Sequence, residues 1–500
     1  MNHRAIRIHD TDMVAVALEP LGAGSMITVG GESIRITEAI PQGHKFALRD
    51  IAEGERIIKY GFSIGTARSA IPRGTHVHTH NTATHLAETE SYAYCPQDAV
   101  CPPPAVQAGT IQAYERSDGH IGIRNEIWII PTVGCVNKVA SSLATWGNQQ
   151  LANGALEGID GIHAWEHPYG CSQLGADHVN TRTILADLVR HPNAGAVLVI
   201  GLGCENNTIE AFKEALGPYD HERVRFMVTQ QVADEITEGK QLLTLLASYA
   251  GQATRTPVAF SRLVVGLKCG GSDGLSGITA NPLVGRFSDY LTAAGGSAIL
   301  TEIPEMFGAE KVLMDRCVSR EVFDRLTGLV NGFKQYFIRH GQVVYENPSP
   351  GNKAGGITTL EDKSLGCVQK GGTSPIKGVL GYGERIENTG LQILDGPGND
   401  IVSTTAMAAA GAHLILFTTG RGTPLGSVVP TVKISTNTAL ARQKSGWMDF
   451  DAGRLLFEES PVVLLDLIDY VCDVASGRMQ TKNEINGYHE IAIFKDGVTL

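Results

Sequence analysis

From about residue 110 onward, short apolar runs alternate with helical stretches, and this pattern constrains the fold more than any other feature of the chain. The runs are compact and mostly rich in β-branched residues: Ile127-Trp-Ile-Ile, Ala196-Val-Leu-Val-Ile and Arg225-Phe-Met-Val, with helical stretches at 183–190 and 208–216. Continuous apolar strands that alternate with helices predict a mostly parallel sheet covered on both faces. A second region of this kind begins near Arg262-Leu-Val-Val and continues to the end of the sequence.

The first 86 residues follow a different pattern, in which short apolar runs alternate with glycine turns. This pattern predicts a small β-rich domain at 1–86. The proline run that follows Cys101 is stiff and extended, and it indicates a linker at 87–109. A polar stretch at 251–257 then divides the rest, so we expect an α/β domain at 110–256 and a larger C-terminal α/β domain at 257–500.

Charge and composition exclude several classes of function. The formal net charge is -11 and no basic block occurs, so neither a nucleic acid nor a membrane surface is an expected partner. The N-terminus lacks a secretory apolar core, and the longest apolar runs are too short to span a bilayer, so a cytoplasmic location is expected. The cysteine count of nine is odd and the chain is large without an export signal, which disfavours a disulfide framework. No Cys-x-x-Cys pair occurs, which disfavours a zinc knuckle or a thioredoxin-type site.

The absence of three sequence motifs excludes further classes of enzyme chemistry. The glycines at Gly201 and Gly203 do not complete a dinucleotide-binding fingerprint, and the chain has neither a phosphate-binding loop nor a nucleophile elbow. These absences argue against nicotinamide redox chemistry, nucleotide hydrolysis and serine-hydrolase chemistry.

Three alternate histidines occur in the segment Gly74-Thr-His76-Val-His78-Thr-His80-Asn81. Alternate residues of a strand point to one face, and imidazole is the commonest protein ligand for transition metals. We therefore predict that His78 and His80 bind a metal. A solvated polar strand edge is the alternative interpretation.

Four cysteines end apolar runs inside glycine-rich turns: Cys135, Cys171, Cys204 and Cys269. Ligands of open α/β sheets bind beyond the carboxyl ends of the strands, so these cysteines could converge on one crevice. We predict metal contact for Cys135, Cys171 and Cys204. The alternative is that each is a small buried hydrophobe.

Polar side chains are concentrated in four further segments of the C-terminal half. They are Cys269 to Pro282, Thr301-Glu302-Ile-Pro-Glu305, Asn347 to Ser364, and Thr418-Thr-Gly-Arg421-Gly. Paired carboxylates at a strand end suit metal binding or acid–base work, although they could equally cap a helix. An arginine in a glycine turn is a natural bidentate partner for a carboxylate.

These motifs, taken in order, resemble the altronate and galactarate dehydratase family over essentially the whole chain. The histidine segment resembles its small SAF-like N-terminal domain, and Arg124 to Cys135, Tyr169 to Gly175 and Gly201 to Asn207 resemble its second region. The segments Cys269 to Pro282, Asn347 to Gly366 and Phe417 to Thr423 resemble its C-terminal region. The segments Glu302 to Glu310, Trp447 to Gly453 and Ile493 to Leu500 are more similar to the altronate-acting members.

The resemblance implies dehydration of D-altronate to 2-dehydro-3-deoxy-D-gluconate and water, in hexuronate catabolism. It also implies a divalent metal, Fe²⁺ or Mn²⁺, and leaves an iron–sulfur cluster open. The catalytic base is then expected to be Lys363 or a carboxylate at Glu302 or Glu305. The expected substrate contacts are Arg421, Lys353, Asn281, Asp273 and Arg124. We expect a homodimer. A galactarate dehydratase, another lyase of this scaffold and a non-catalytic sugar-acid binding protein remain alternatives.

Overall fold

The structure is a computed structural model that describes residues 4–86, 91–95 and 108–499. The predicted linker at 87–109 therefore lies largely outside the described residues. None of the helices in these ranges is long and apolar enough to cross a membrane.

The N-terminal domain is built from short antiparallel strands, which confirms the prediction of a β-rich domain. Its strands are β1 (Ala5–Ile6), β2 (Val14–Ala17), β3 (Met26–Val29), β4 (Glu32–Arg35), β5 (Lys45–Ala47), β6 (Arg56–Lys59), β7 (Phe62–Ala67), β8 (His76–Val77) and β9 (Thr82–Ala83). They form a four-stranded sheet in the order β1-β2-β5-β8, a three-stranded sheet β6-β7-β9 and the hairpin β3-β4. The alternation in β3 buries Ile27 and Val29 and exposes Met26 and Thr28, as expected for a sheet with one solvent-exposed face.

The second region contains a parallel sheet covered by helices. Its strands are β10 (Thr110–Glu115), β11 (Ile121–Gly122), β12 (Glu126–Pro131), β13 (Gly161–Ala164), β14 (Ala194–Gly201), β15 (Val224–Val228) and β16 (Arg255–Ala259). Its helices are α1 (Asn137–Ala152), α2 (Gly175–Arg190), α3 (Ile209–Leu216) and α4 (Glu235–Ala250). The parallel order is β13-β12-β14-β15, and every residue of β14 is buried. Antiparallel β11-β10-β16 forms a separate small sheet, so the expected boundary at 256/257 falls within β16.

The C-terminal region carries a seven-stranded parallel sheet. Its strands are β17 (Val264–Cys269), β18 (Ser297–Leu300), β19 (Ile376–Leu380), β20 (Gly390–Leu394), β21 (Leu414–Thr419), β22 (Thr431–Ser435) and β23 (Phe450–Asp451). Their order in the sheet is β19-β20-β18-β17-β21-β22-β23. Its helices are α5 (Ala280–Ala293), α6 (Glu310–Met314), α7 (Arg320–Arg339), α8 (Pro350–Ala354), α9 (Leu360–Cys367), α10 (Asp400–Ala409), α11 (Thr438–Gln443), α12 (Ser460–Ala475) and α13 (Lys482–Asn486). The two parallel sheets confirm the predicted α/β architecture.

Helix α9 joins the N-terminal domain to the C-terminal region, and all eight of its residues are buried. Its Asp362 carboxylate lies 2.8 Å from Lys45 Nζ and 3.0 Å from Lys59 Nζ, two lysines of the N-terminal domain. Burial lowers the pKa of Lys45 to about 8 although Asp362 opposes that shift. Burial would raise the pKa of Asp362, but Lys45 and Lys59 hold it far below its ordinary value. The seam between the two domains therefore contains a buried carboxylate between two lysines.

Replacement of Asp362 by alanine should destabilise the protein strongly, because it leaves Lys45 and Lys59 buried without their counter-ion. Removal of one partner from a buried pair costs about 3–5 kcal/mol. We expect a clear fall of the melting temperature in calorimetry for Asp362→Ala. Asp324→Ala is the matched control, since the Arg320–Asp324 pair lies on the surface of α7; equal melting temperatures for the two variants would contradict the proposed role of Asp362.

Candidate functional site

Three histidines of the N-terminal domain lie together at the seam: His44, His76 and His78. Strands β5 and β8 pair antiparallel with Phe46 opposite His76, and this register places the residue before β5 opposite the residue after β8. One ring nitrogen from each histidine lies within 4.8 Å of those of the other two, and His44 Nδ1 is 3.0 Å from His76 Nε2. Val77 is fully buried on the other side of β8, so the alternation expected from the sequence holds for His76 and His78.

The structure includes His78 in this group but not His80. The His80 ring lies 5.5 Å from the His76 ring, centroid to centroid, and its side chain is exposed. The prediction missed His44 as a member and did not count His76 as a ligand. His44 joins the group through the pairing of β5 with β8, which only the structure shows.

The donor set of this group fits a divalent transition metal. Burial lowers the pKa of His44, and it lowers the pKa of His76 to about 3 and that of His78 to about 4. The imidazoles are therefore neutral at pH 7 and can offer lone pairs to a metal. Two of the rings also contact residues 349–358: His44 Nε2 lies 3.3 Å from Ala354 O, and His78 Nδ1 lies 3.4 Å from Thr358 Oγ1. Contacts of this kind orient ligating rings.

A second cluster contains lysines and carboxylates at the carboxyl ends of β17 and β18. Lys363 of α9 lies 2.8 Å from Glu305 and donates to Asn347 Oδ1 at 3.0 Å. Glu302 pairs with Lys268, the penultimate residue of β17, and with Lys370 at 3.1 Å. The structure thus brings the predicted catalytic residues Lys363, Glu302 and Glu305 into one buried network. Glu302 adopts a left-handed conformation with φ 73°, which is uncommon outside glycine and is found at functional sites.

Neighbouring charges fix the protonation states of Glu305 and Lys363 in this network. Burial would raise the pKa of Glu305, but Lys363 and Lys268 hold it at about 2. Burial would lower the pKa of Lys363, but Glu305 raises it above its ordinary value. In the free protein at pH 7, Lys363 is therefore an ammonium and Glu305 a carboxylate. Neither side chain is a strong base in this state.

Cys269 and Cys367 complete the second cluster, with their sulfurs 3.3 Å apart. Together with Glu305 they form a group whose ligand atoms also lie within 4.8 Å of one another. However, Lys370 Nζ lies 3.0 Å from the Cys269 sulfur and Lys363 lies against Glu305, so two ammonium groups already neutralise these donors. We infer that the histidine group is the better site for a metal cation.

A narrow cavity of about 10 Å³, room for about one water molecule, reaches this network at the seam. Its walls include Lys59 and Tyr60 of the N-terminal domain and Asp362, Lys363 and Cys367 of α9. The opposite wall is the glycine-rich segment 272–277. Lys363 lines this cavity and is 7% exposed.

Among the predicted substrate contacts, Arg421 and Lys353 are the two whose charged groups are not paired with a carboxylate of the described residues. The Arg421 side chain is exposed and donates to Gly351 O at 3.4 Å, at the start of the loop that also contacts His44. Lys353 is half-buried on α8 in the same loop. Within the described ranges, neither residue forms an ion pair with a carboxylate. Both cations therefore remain available to an anion.

The other three predicted substrate contacts bind protein groups, and two of them, Asn281 and Asp273, also line the cavity at the seam. Asn281 donates to Gly366 O and accepts from Thr418 Oγ1 at 2.6 Å. Asp273 accepts from Thr436, Ser276 and the backbone N–H of Leu275, and so holds the glycine-rich segment 272–277 in shape. Arg124 forms a buried ion pair with Glu484 at 2.6 Å and donates to Val474 O. These contacts give each residue a structural role, and substrate contact stays a prediction for all three.

The predicted metal ligands Cys135, Cys171 and Cys204 belong to the second region, and none is part of the histidine group. All three are exposed. They lie in the loops that follow β12, β13 and β14, at the carboxyl ends of neighbouring strands, as the sequence predicted.

Comparison with known proteins gives matches along the whole chain. Residues 3–85 match the altronate/galactarate dehydratase SAF domain, residues 113–251 the second domain of D-galactarate dehydratase/altronate hydrolase, and residues 260–499 the C-terminal domain of D-galactarate/altronate dehydratase. The chain is 54% identical to an altronate dehydratase of Escherichia coli K12 and 50% identical to one of Bacillus subtilis 168, in each case over 99% of both chains. It is 35% identical to the L-threo-forming galactarate dehydratase of Escherichia coli K12, over 98% of this chain and 96% of that protein.

The order of the three matched domains, the β-rich N-terminal domain docked on a parallel α/β region, and the identity over full length agree with one another. The chain belongs to the altronate/galactarate dehydratase family of hydro-lyases.

Proposed function

We propose that this protein dehydrates D-altronate to 2-dehydro-3-deoxy-D-gluconate and water, in hexuronate catabolism in the cytoplasm. The observation that carries the proposal is the identity of 54% and 50%, over 99% of each chain, to two proteins named altronate dehydratase. The seam supports the proposal. The histidine group, which can bind a metal, contacts Ala354 and Thr358, and the buried Lys363–Glu305 pair follows in the same segment of the chain.

The reaction removes the proton at C2 and the hydroxide at C3, and it builds negative charge on a group that is already anionic. Cationic groups in a water-poor site stabilise such charge best. A divalent cation, Fe²⁺ or Mn²⁺, held by His44, His76 and His78 would supply a Lewis acid for substrate oxygens. Arg421 and Lys353 provide positive charge for the substrate carboxylate at the outer edge of the same loop.

Lys363 and Glu305 are the groups that we assign to proton transfer. The ammonium of Lys363 suits protonation of the departing hydroxide, since its proton is held in the free protein. Glu305 is a weak base while Lys363 neutralises it. An anionic substrate beside Lys363 would compete for that ammonium and raise the pKa of Glu305, so substrate binding itself would make the carboxylate a better base.

A panel of sugar acids tests the substrate directly. We expect the metal-loaded, reduced protein to dehydrate D-altronate with a kcat/KM well above those for galactarate and other hexonates, measured by formation of the 2-oxo acid. Faster turnover of galactarate would favour the function of the relative at 35% identity. Binding of sugar acids without turnover would indicate a binding protein and contradict the proposal.

The histidine group predicts a specific ranking of variants. His44→Ala and His78→Ala should each lose the bound metal and most of the activity, because each removes one of three ligands. His80→Ala should have a smaller effect, since its ring lies outside the group, and His221→Ala in the second region is the control. Metal content is measured by mass spectrometry beside kcat/KM. Equal metal content in His78→Ala and His221→Ala would show that the histidines do not hold the metal.

Arg421 should be required for binding the substrate carboxylate in the transition state. Loss of a charge-assisted pair in a partly desolvated site costs on the order of 2–4 kcal/mol, roughly 30- to 1,000-fold in kcat/KM. Arg421→Ala should show this loss, and Arg421→Lys should remain impaired because lysine keeps the charge without the planar fork. A lower melting temperature with normal kcat/KM would instead assign Arg421 a structural role.

A further inference from the structure

The three exposed cysteines of the second region occupy the loops at the carboxyl ends of three adjacent strands. In the sheet, β12 lies between β13 and β14, and all three strands are parallel. Cys135 follows β12, Cys171 follows β13 and Cys204 follows β14. Neighbouring strands lie about 4.8 Å apart, so this order brings the three loops side by side.

Backbone contacts hold the three loops against one another. Gly134 N–H donates to Tyr169 O at 2.8 Å, which joins the Cys135 loop to the Cys171 loop. Asn207 joins the Cys204 loop to both others, because its backbone N–H donates to Gly170 O at 3.1 Å and its side chain to Thr132 O at 3.1 Å. Asn206 Oδ1 accepts from Ser172 N–H at 3.0 Å. The three cysteines therefore stand on one rigid platform.

Their exposure excludes a role in packing. Cysteine is among the residue types that are most often buried, and Cys269, Cys317 and Cys367 follow that rule here. Cys135, Cys171 and Cys204 are exposed although each follows a strand whose residues are almost entirely buried or half-buried. Thiolates are metal ligands, so three exposed thiols on one platform are suited to binding a metal group.

The surroundings suit a negatively charged metal cluster. Each loop leads into a helix N-terminus, that of α1, α2 or α3, where the helix dipole favours negative charge. Side-chain donors also approach the sulfurs: Gln230 Nε2 lies 3.5 Å from Cys204 Sγ, and Ser172 Oγ lies 3.9 Å from Cys171 Sγ. Hydrogen bonds to sulfur tune iron–sulfur clusters. Ser172 itself has a positive φ of 59°, which is uncommon for serine.

The three sulfurs are not arranged for a single tetrahedral ion. A tetrahedral ion with sulfur ligands at about 2.3 Å needs sulfurs roughly 3.8 Å apart. In the described chain, the three sulfurs do not form a group within 4.8 Å of one another, and no histidine or carboxylate joins them in such a group. A cluster with several irons spans a wider gap.

We propose that Cys135, Cys171 and Cys204 ligate an iron–sulfur cluster on the second region, distinct from the histidine group at the seam. Three thiolates leave one iron of a [4Fe–4S] cluster without a cysteine ligand. Because the platform is exposed, that iron can take an oxygen ligand from water or from a hydroxy acid.

The test is the iron and acid-labile sulfide content of the full-length protein, purified without oxygen and reconstituted with iron and sulfide. We expect about four irons and four sulfides per chain in the cluster, with visible charge-transfer absorbance and an electron paramagnetic resonance signal on reduction. Cys135→Ser, Cys171→Ser and Cys204→Ser should each lose the sulfide and the absorbance.

Three controls distinguish a cluster on these cysteines from iron bound elsewhere on the protein. Cys95→Ser and Cys472→Ser should keep the cluster, and His44→Ala should keep the sulfide even where it loses the metal at the seam. Circular dichroism of each serine variant shows whether it is folded. Iron without sulfide, no cluster in the reconstituted wild-type protein, a disulfide between two of the three cysteines, or an unchanged cluster in the triple serine variant would overturn the proposal.

Discussion

The site depends on the buried carboxylate of Asp362, which lies between Lys45 and Lys59 of the N-terminal domain. Asp362 also accepts the backbone N–H of Thr358, so the same carboxylate fixes the loop that leads into α9. Lys45 in turn donates to Gly356 O and Thr358 Oγ1. One carboxylate and its two lysines thus fix the domain, the loop and the helix relative to one another, and the histidine group and Lys363 take their positions from these contacts.

Consecutive residues of α9 connect different parts of the molecule. Glu361 accepts from Thr84 Oγ1 and from the backbone N–H of His85, at the end of the N-terminal domain. Asp362 binds the two lysines, and Lys363 turns to Glu305 at the carboxyl end of β18. The seam also requires close backbone approach: a Cβ on Gly274 would collide with Gly43 O, so only glycine fits there. Helix α9 therefore links the docking of the N-terminal domain to the position of the Lys363–Glu305 pair.

Several parts of this arrangement could be predicted from sequence. The alternation of strands and helices predicted the parallel sheets, and the rule that ligands bind beyond strand carboxyl ends pointed to Glu302, Glu305 and the cysteine loops. Lys268 and Lys370 could not be predicted, because a lysine within or beside an apolar run gives no local sign of a buried partner. His44 depends on strand pairing that the sequence does not reveal. The sequence gives no sign that Asp273, a predicted substrate contact, also holds its glycine-rich turn through hydrogen bonds from Leu275, Ser276 and Thr436.

A structure of the metal-loaded Lys363→Met variant with D-altronate tests the central claim most directly, namely that the active site lies at the seam of the two domains. The substitution removes the ammonium and keeps an unbranched side chain of similar length, so the substrate should persist. We predict that the ligand lies between the histidine group and position 363, with its carboxylate toward Arg421. A ligand in the groove of about 550 Å³ beside Tyr336, Arg339 and Tyr382, away from the seam, would contradict the account.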